Sequence, residues 1–487
     1  MRPPATHDRV LAILCDGARP DVMMKMAAAG ELPVVKKHFV DAGGFRSGTS
    51  VFPTVSGPAH LPMLTGAHPG RANLPGIRWA ERPSGKLGFA GRTRSYMTPF
   101  RGAKLERDVP AGVTTLFEHV EGLADINTWF VRGCPDKARF TKNTKAASWL
   151  KSLVTTDWYS SDLAAEAAVL RAFDAGYRSA FAVFPAVDEL GHRSGPVSEE
   201  SYEAYRRFDK ALGRVIDALA RRGTIDRTLI MLSSDHGQST THTHFELDAF
   251  VRTIIPRTLS YPRLWKHLVH ADAAVMISGN ALANVYLAGR GGWDERPDFE
   301  DRTGKPYELV HALVGHEAID HLIYRHGEGR ACVVISPTGK AYVEPQAVGD
   351  EPATTVTYRV EGTDPLALGL GPDPVTLTRG EIAARTADSP YPDAPWQLSE
   401  FYRSPRAGDL LVCAKNGFDL RDNFEYQPHN GSHGGLHRDH MAVPAAVNGT
   451  WAREHVRTVD LFPTILQALG KPLPSTIDGE AIVISRP

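Results

Sequence analysis

Three near-continuous apolar stretches of strand length, residues 10–15, Ser179–Phe184 and Thr228–Ser233, each lead straight into a segment bearing a carboxylate, and this pattern restricts the fold more than any other feature. A stretch that is apolar at both odd and even positions is a strand covered on both faces. Helical signals separate the three. Pro20 opens a helix closed by Gly30, Ser161 caps one with Leu163, Ala167, Leu170 and Phe173 on one face, and Tyr205, Phe208, Leu212, Val215, Ile216 and Leu219 line a third before Gly223. A further strand is expected at 126–131. Repeated strand-then-helix units predict an α/β protein with a doubly wound, largely parallel sheet and helices on both faces. In such sheets ligands bind beyond the carboxyl ends of the strands, which is where Cys15-Asp16-Gly17, Asp188 to His192 and Ser234-Asp235-His236-Gly237 fall.

The alternation weakens between 245 and 405. A helix is expected near 317–325, a hairpin over 333–343 and a proline-rich piece at 389–405, together read as a cap inserted between core segments 1–244 and 406–487. Residues 408–414 read as a strand returning to the core sheet, and a last helix runs over 458–469 to Gly470. A chain of 487 residues with 42% apolar content can bury a large core. Its 55 basic and 56 acidic residues leave a formal charge of -1, which argues against general nucleic-acid binding. Cys15, Cys134, Cys332 and Cys413 form no C-x-x-C pair, disfavouring a disulfide framework or thiolate zinc site. With no signal-like apolar segment at the start and no membrane span, a cytoplasmic protein is expected; oligomeric state is left open.

Phe52 to His60 reads as a tight turn presenting the Ser56 hydroxyl ahead of a short helix closed by Gly66. Ser56 is either a helix cap or a reactive hydroxyl at a helix N-terminus, where N–H groups favour an anion. Asp16 alone could be a turn residue. Together, however, Asp16, Ser56, Asp188, His192, Asp235, His236 and His433 supply the carboxylate and imidazole mixture that holds zinc and similar divalent ions in hydrolytic sites. The D-x-x-x-H spacing puts Asp188 and His192 one helical turn apart, able to clasp one ion. Residues 78–107 carry eight basic side chains (Arg78, Arg82, Lys86, Arg92, Arg94, Arg101, Lys104, Arg107) against Glu81 and Glu106. This basic insertion, placed at about 78–110, is either a solvated loop or a grip for an anionic substrate.

Cys15-Asp16-Gly17, Pro53-Thr54-Val55-Ser56-Gly57-Pro58-Ala59-His60 with Thr65-Gly66, Val187-Asp188-Glu189-Leu190-Gly191-His192-Arg193-Ser194-Gly195-Pro196, Ser234-Asp235-His236-Gly237-Gln238 and Gly431-Ser432-His433-Gly434 appear in this order. The series resembles the alkaline phosphatase superfamily, most closely its nucleotide pyrophosphatase/phosphodiesterase branch. That resemblance implies two divalent ions, zinc by preference with manganese or iron as alternatives, acting on a small-molecule phosphoester. It also implies that Asp188, His192 and His433 hold one ion, and that Asp16, Asp235, His236 and the nucleophile Ser56 hold the other. Ser56 stands where the branch has threonine, with Thr54 as the other hydroxyl to consider. The asparagine that the branch places on a phosphoryl oxygen has no counterpart near Gly76; Asn73 is out of register. Arg78, Asn73 and His437 are therefore the candidates for substrate contact. His60, His242, His244, His429 and His440 read as polar neighbours of the site. A phosphomonoesterase, a phosphonate hydrolase or phosphomutase, and a catalytically silent relative are the rival readings. A sulfatase is set aside, since His60 stands where its arginine would be.

Overall fold

Six strands make the central sheet: β1 (Arg9–Cys15), β2 (Phe45–Thr49), β3 (Leu123–Ile126), β4 (Ser179–Phe184), β5 (Thr228–Ser233) and β6 (Ala442–Val447). The structure is a computed structural model that describes residues 5–82, 92–95, 105–260, 271–327, 329–347, 349, 351–371, 373–421 and 429–486. The strand order is β2-β6-β5-β1-β4-β3; β5, β1, β4 and β3 are parallel, and β6 runs against β5 and β2. Along β1, Val10, Ala12 and Leu14 enter one core with Leu461, Phe462, Ile465 and Leu64. Leu11, Ile13 and Cys15 enter the other with Met23, Val169, Phe208 and Leu212. The period of two buries both faces, so the strand is apolar throughout and the sheet is wound on both sides.

A second sheet of nine strands is almost wholly antiparallel. It contains the expected hairpin, as Cys332–Ser336 paired with Gly339–Gln346. Two expectations fail around it. The helix expected near 317–325 is a strand, Ile319–Arg325, because Leu322, Ile323 and Tyr324 fill both sides of the sheet; the helix lies earlier, at Lys305–Val314. The strand expected to return to the core is Leu410–Ala414, which lies inside the second sheet between Leu282–Leu287 and Ile319–Arg325. The return strand of the central sheet is β6. Within the proline-rich piece a fully buried helix, Ala394–Phe401, forms.

Smaller differences have local causes. β3 ends at Ile126 because Asp125 Oδ1 accepts the Thr128 N–H at 3.1 Å and Asn127 takes φ 65, turning the chain. Ser161 is not a cap: it lies inside the helix Tyr159–Asp174 and bonds Ser152 at 2.9 Å. The buried face of that helix is Ala165, Ala168, Val169 and Ala172, leaving Leu163 54% exposed. No helix among the described residues is long and apolar enough to cross a membrane, and the four cysteines are free.

Candidate metal centre

The parallel strands deliver their C-terminal ends to one edge. Asp16 follows β1, Asp235 and His236 follow β5, and the helix Ala186–Ser194 after β4 carries Asp188 and His192 on adjacent turns. Gly17, at φ 70, lets this edge close up: a Cβ there would lie 2.7 Å from Asp188 Cα. His433 arrives from a loop pinned to the second sheet, donating its N–H to Gly279 O at 2.9 Å and accepting the Ala281 N–H at 2.9 Å.

The geometry gathers these side chains into neighbouring groups. Asp188, His192 and His433 form one, Asp16, Asp188 and His236 a second, and Asp16, His60 and Asp235 a third; within each group the donor atoms lie within 4.8 Å of one another. His192 donates Nδ1–H to Gly431 O at 2.7 Å, and His433 does the same to Thr54 O at 2.7 Å. Burial, aided by the neighbouring His236 and His192, pushes the His433 pKa well below its usual value, so this ring is neutral. Its Nε2 is then a bare acceptor, and it stands 3.1 Å from the Nε2 of His192, whose Nδ1–H is already given to Gly431. Two lone pairs facing at that distance repel unless a cation lies between them, which is the fit expected of a metal ligand pair. His236 lies 14° from parallel to His433 with ring centres 3.7 Å apart, so the groups are contiguous.

Ser56 Oγ stands 3.0 Å from His236 Nε2 and 3.5 Å from Asp16 Oδ1. Thr54 is turned away, bonding Gly435 O at 2.8 Å and the Gly434 N–H at 3.0 Å, which leaves Ser56 as the hydroxyl that faces the groups. The expected helix N-terminus is not beneath it. The helix is Leu61–Thr65, only five residues long, with His60 at its cap position and Ser56 a full turn ahead. Gly57, at φ 94, and Pro58 prevent the helix from starting earlier.

Burial, with Asp235 and Asp188 adding to it, pushes the Asp16 carboxyl up; Asp235, despite its burial, is held below the usual range by His236 and His60. Three carboxylates packed this closely repel one another and call for positive charge among them. Sequence reading treated His60 as a bystander, but its Nε2 lies 3.2 Å from Asp16 Oδ2 and 3.1 Å from Asp235 Oδ2. Its position four residues after Ser56, in the same turn, was the available signal. Gln238 was also missed. It donates Nε2–H to Asp188 O at 2.9 Å and to Asp188 Oδ1, fixing that carboxylate.

A cleft of about 330 Å³ opens on the groups and extends past Pro185 to Asn127, Trp129, Lys145 and Trp149. Arg78 lines it beside Ser56 and Val55. Asn73 does not: its side-chain Oδ1 accepts the Ser404 hydroxyl at 2.7 Å in a turn at φ 58. Nor does His437, whose Nδ1 is taken by Asn416 at 2.9 Å and the Asp439 N–H at 3.2 Å. His429 does line it, its ring 4.6 Å from that of His192 and its Nδ1 2.7 Å from Asn280 Nδ2. His440 bonds Ser239 at 2.8 Å, His244 bonds Asp419 at 3.0 Å, and His242 bonds Thr243 at 3.0 Å, all outside the groups. The basic insertion is partly a hairpin, Arg78–Glu81 with Arg92–Ser95. Arg94 is held by Asp108 at 2.6 Å and Arg82 by Asp409; Lys86, Arg101, Lys104 and the Arg92 side chain lie outside the described residues.

Behind the site, Asp162 accepts the Ala186 N–H at 3.1 Å, and its second carboxylate oxygen has no partner among the described residues. Burial pushes this carboxyl up to about 7. An acid whose pKa is higher folded than unfolded costs stability once it must ionise. The cost starts near the unfolded pKa of about 4, grows with pH and levels off above the folded value. Between about pH 5 and pH 8 this amounts to about 2–3 kcal/mol. Asp162→Asn is therefore expected to gain on the wild type by that margin over the interval, read from denaturant midpoints. An equal difference at both pH values would mean that Asp162 does not titrate there.

Comparison with known proteins shows a family and a fold. The model of the type I phosphodiesterase / nucleotide pyrophosphatase family matches residues 10–303, a span that holds Asp16, Ser56, Asp188, His192, Asp235 and His236 but not His433. The chain belongs to that family. As a member it is a phosphoester hydrolase of the alkaline phosphatase superfamily, and its fold agrees. It is similar over 96% of its length to phosphonoacetate hydrolase from Sinorhizobium meliloti in complex with phosphonoformate, at 16% identity, 97% coverage of that chain and a TM-score of 0.54. Human ectonucleotide pyrophosphatase / phosphodiesterase 5 gives 14% identity, 97% coverage of both chains and a TM-score of 0.55. Human ectonucleotide pyrophosphatase/phosphodiesterase family member 7 is 40% identical over 53 residues, 11% of this chain and 12% of that protein's length.

Proposed function

We propose that this family member is a two-metal-ion phosphodiesterase or nucleotide pyrophosphatase that works through a phosphoseryl intermediate on Ser56. The observation that carries the reading is the position of Ser56 Oγ, 3.0 Å from His236 and 3.5 Å from Asp16, next to a second group whose imidazole nitrogens face each other. Asp188, His192 and His433 would hold one divalent ion, and Asp16, Asp235, His236 and Ser56 the other, with zinc the ion best suited to this donor set. Bound there, such ions lower the pKa of a coordinated hydroxyl and neutralise charge on the leaving oxygen. Ser56 Oγ attacks phosphorus in line and the leaving oxygen departs on the opposite side; water then cleaves the phosphoseryl ester, returning Ser56. His60 orients both Asp16 and Asp235, and Gln238 orients Asp188. Arg78, lining the cleft beside Ser56, offers charge-assisted hydrogen bonds to a phosphoryl oxygen in place of the absent asparagine. The second sheet, which takes in Leu410–Ala414 as well as strands within 245–405, serves as a cap whose turn at Gly279 and Asn280 supports His433.

Turnover of bis(p-nitrophenyl) phosphate against p-nitrophenyl phosphate tests the reading. The diester is expected to give the higher kcat/KM by at least about tenfold, a 1.4 kcal/mol difference in barrier. A preference for the monoester would favour the phosphomonoesterase reading instead.

A further inference from the structure

The helix Lys145–Thr155 opens on the cleft wall away from Ser56, and its first residue is a cation that forms no ion pair among the described residues. Lys145 Nζ donates to Asn127 O at 2.8 Å and to Thr128 O at 3.0 Å, and it lies 4.4 Å from the centre of the Trp129 ring. An ammonium carries three N–H donors, so the two carbonyls leave one. No carboxylate among the described residues forms an ion pair with it. The ring and the carbonyls fix the ammonium in position, so little further ordering is needed for it to meet a ligand. Burial, with Arg139 adding to it and Asp125 and Asp16 opposing it, pushes its pKa down to about 8. Glu189 lines the same cleft without forming an ion pair with Lys145 among the described residues.

We infer that Lys145, backed by Trp129, forms a subsite for a second acidic group on the substrate, a carboxylate or a further phosphoryl, while the reacting phosphoryl group sits at Ser56. This rests on the hydrolase reading for the placement of the reacting group. Within the basic insertion, Arg82 and Arg94 are committed to Asp409 and Asp108 and do not line the cleft. A substrate that spans the cleft would thus carry at least two anionic centres, and a neutral tail on its second end would leave the ammonium unpaired.

Binding of three non-hydrolysable probes to the purified protein tests this by calorimetry: butylphosphonate, 3-phosphonopropionate and ethane-1,2-diylbisphosphonate. One or both acidic probes are expected to bind at least about tenfold more tightly than butylphosphonate. Which of the two does so separates carboxylate from phosphoryl. Lys145→Met should bring the preference to within about threefold of unity, and Lys145→Arg should keep most of it. On the wild-type protein, the preferred acid should shield Lys145 from an amine-directed label where butylphosphonate does not, a readout independent of how the variants fold. Equal affinities in the wild type, a preference that survives in Lys145→Met, or labelling unaffected by the acids would overturn the subsite. Bis(p-nitrophenyl) phosphate turnover on the same preparation reports separately on the hydrolase reading, so each can fail alone.

Discussion

Ser56→Ala is expected to retain less than a hundredth of the wild-type kcat on bis(p-nitrophenyl) phosphate while folding normally. The reason is geometric. Ser56 Oγ is the hydroxyl that faces Asp16 and His236, and Thr54 cannot replace it because both its hydrogen-bonding roles are spent on Gly434 and Gly435. Residual activity from binding and charge stabilisation alone survives the loss of a nucleophile in other hydrolases, so some turnover is tolerable. A hundredfold loss corresponds to ~2.7 kcal/mol of barrier, about the smallest effect that removal of a covalent step would leave. Ser56→Thr restores a hydroxyl on the same turn and should recover activity. If Ser56→Ala keeps more than a hundredth of the activity, no covalent step passes through this residue.

How far the sequence revealed this site depends on where each residue comes from. Asp16, Asp188, Asp235 and His236 were legible because each follows an apolar strand, and parallel strands must bring such ends to one edge. His433 was legible through the glycine pattern around it and the resemblance, though not its support, which comes from the turn at Gly279 and Asn280 in a sheet the sequence did not reveal. That sheet was obscured because its members have mixed signals: Ile319–Arg325 places Asp320 and His321 among apolar residues and so breaks strict alternation. Leu410–Ala414 reads as five buried apolar residues that suit either sheet, and periodicity alone cannot choose between them. The short helix closed by Gly66 was legible, but not the gap between it and Ser56, where Gly57 at φ 94 turns the chain. Lys145 and Trp129 come from a turn and a helix start with no motif of their own, and only the three-dimensional cleft joins them to Ser56.

The second large effect concerns metal content. His433 brings Nε2 to 3.1 Å from His192 and 4.0 Å from Asp188; of the neighbouring imidazoles, His437 is held by Asn416 and Asp439, His440 by Ser239, and His429 has its Nδ1 on Asn280. His433→Ala would leave Asp188 and His192 as a two-residue group while Asp16, Asp235, His236 and His60 stay together. Loss of one of three protein ligands weakens a site by orders of magnitude, whereas a site that keeps its own ligands is retained. Diesterase activity should fall at least as far as in Ser56→Ala, because the leaving group loses its charge partner. Elemental analysis of the two proteins after equilibration with limiting zinc and removal of free metal is the most direct measurement. Two ions per chain in the wild type and one in His433→Ala are the predicted result, and an unchanged count in the variant, or a wild type that binds fewer than two, would contradict the two-ion centre.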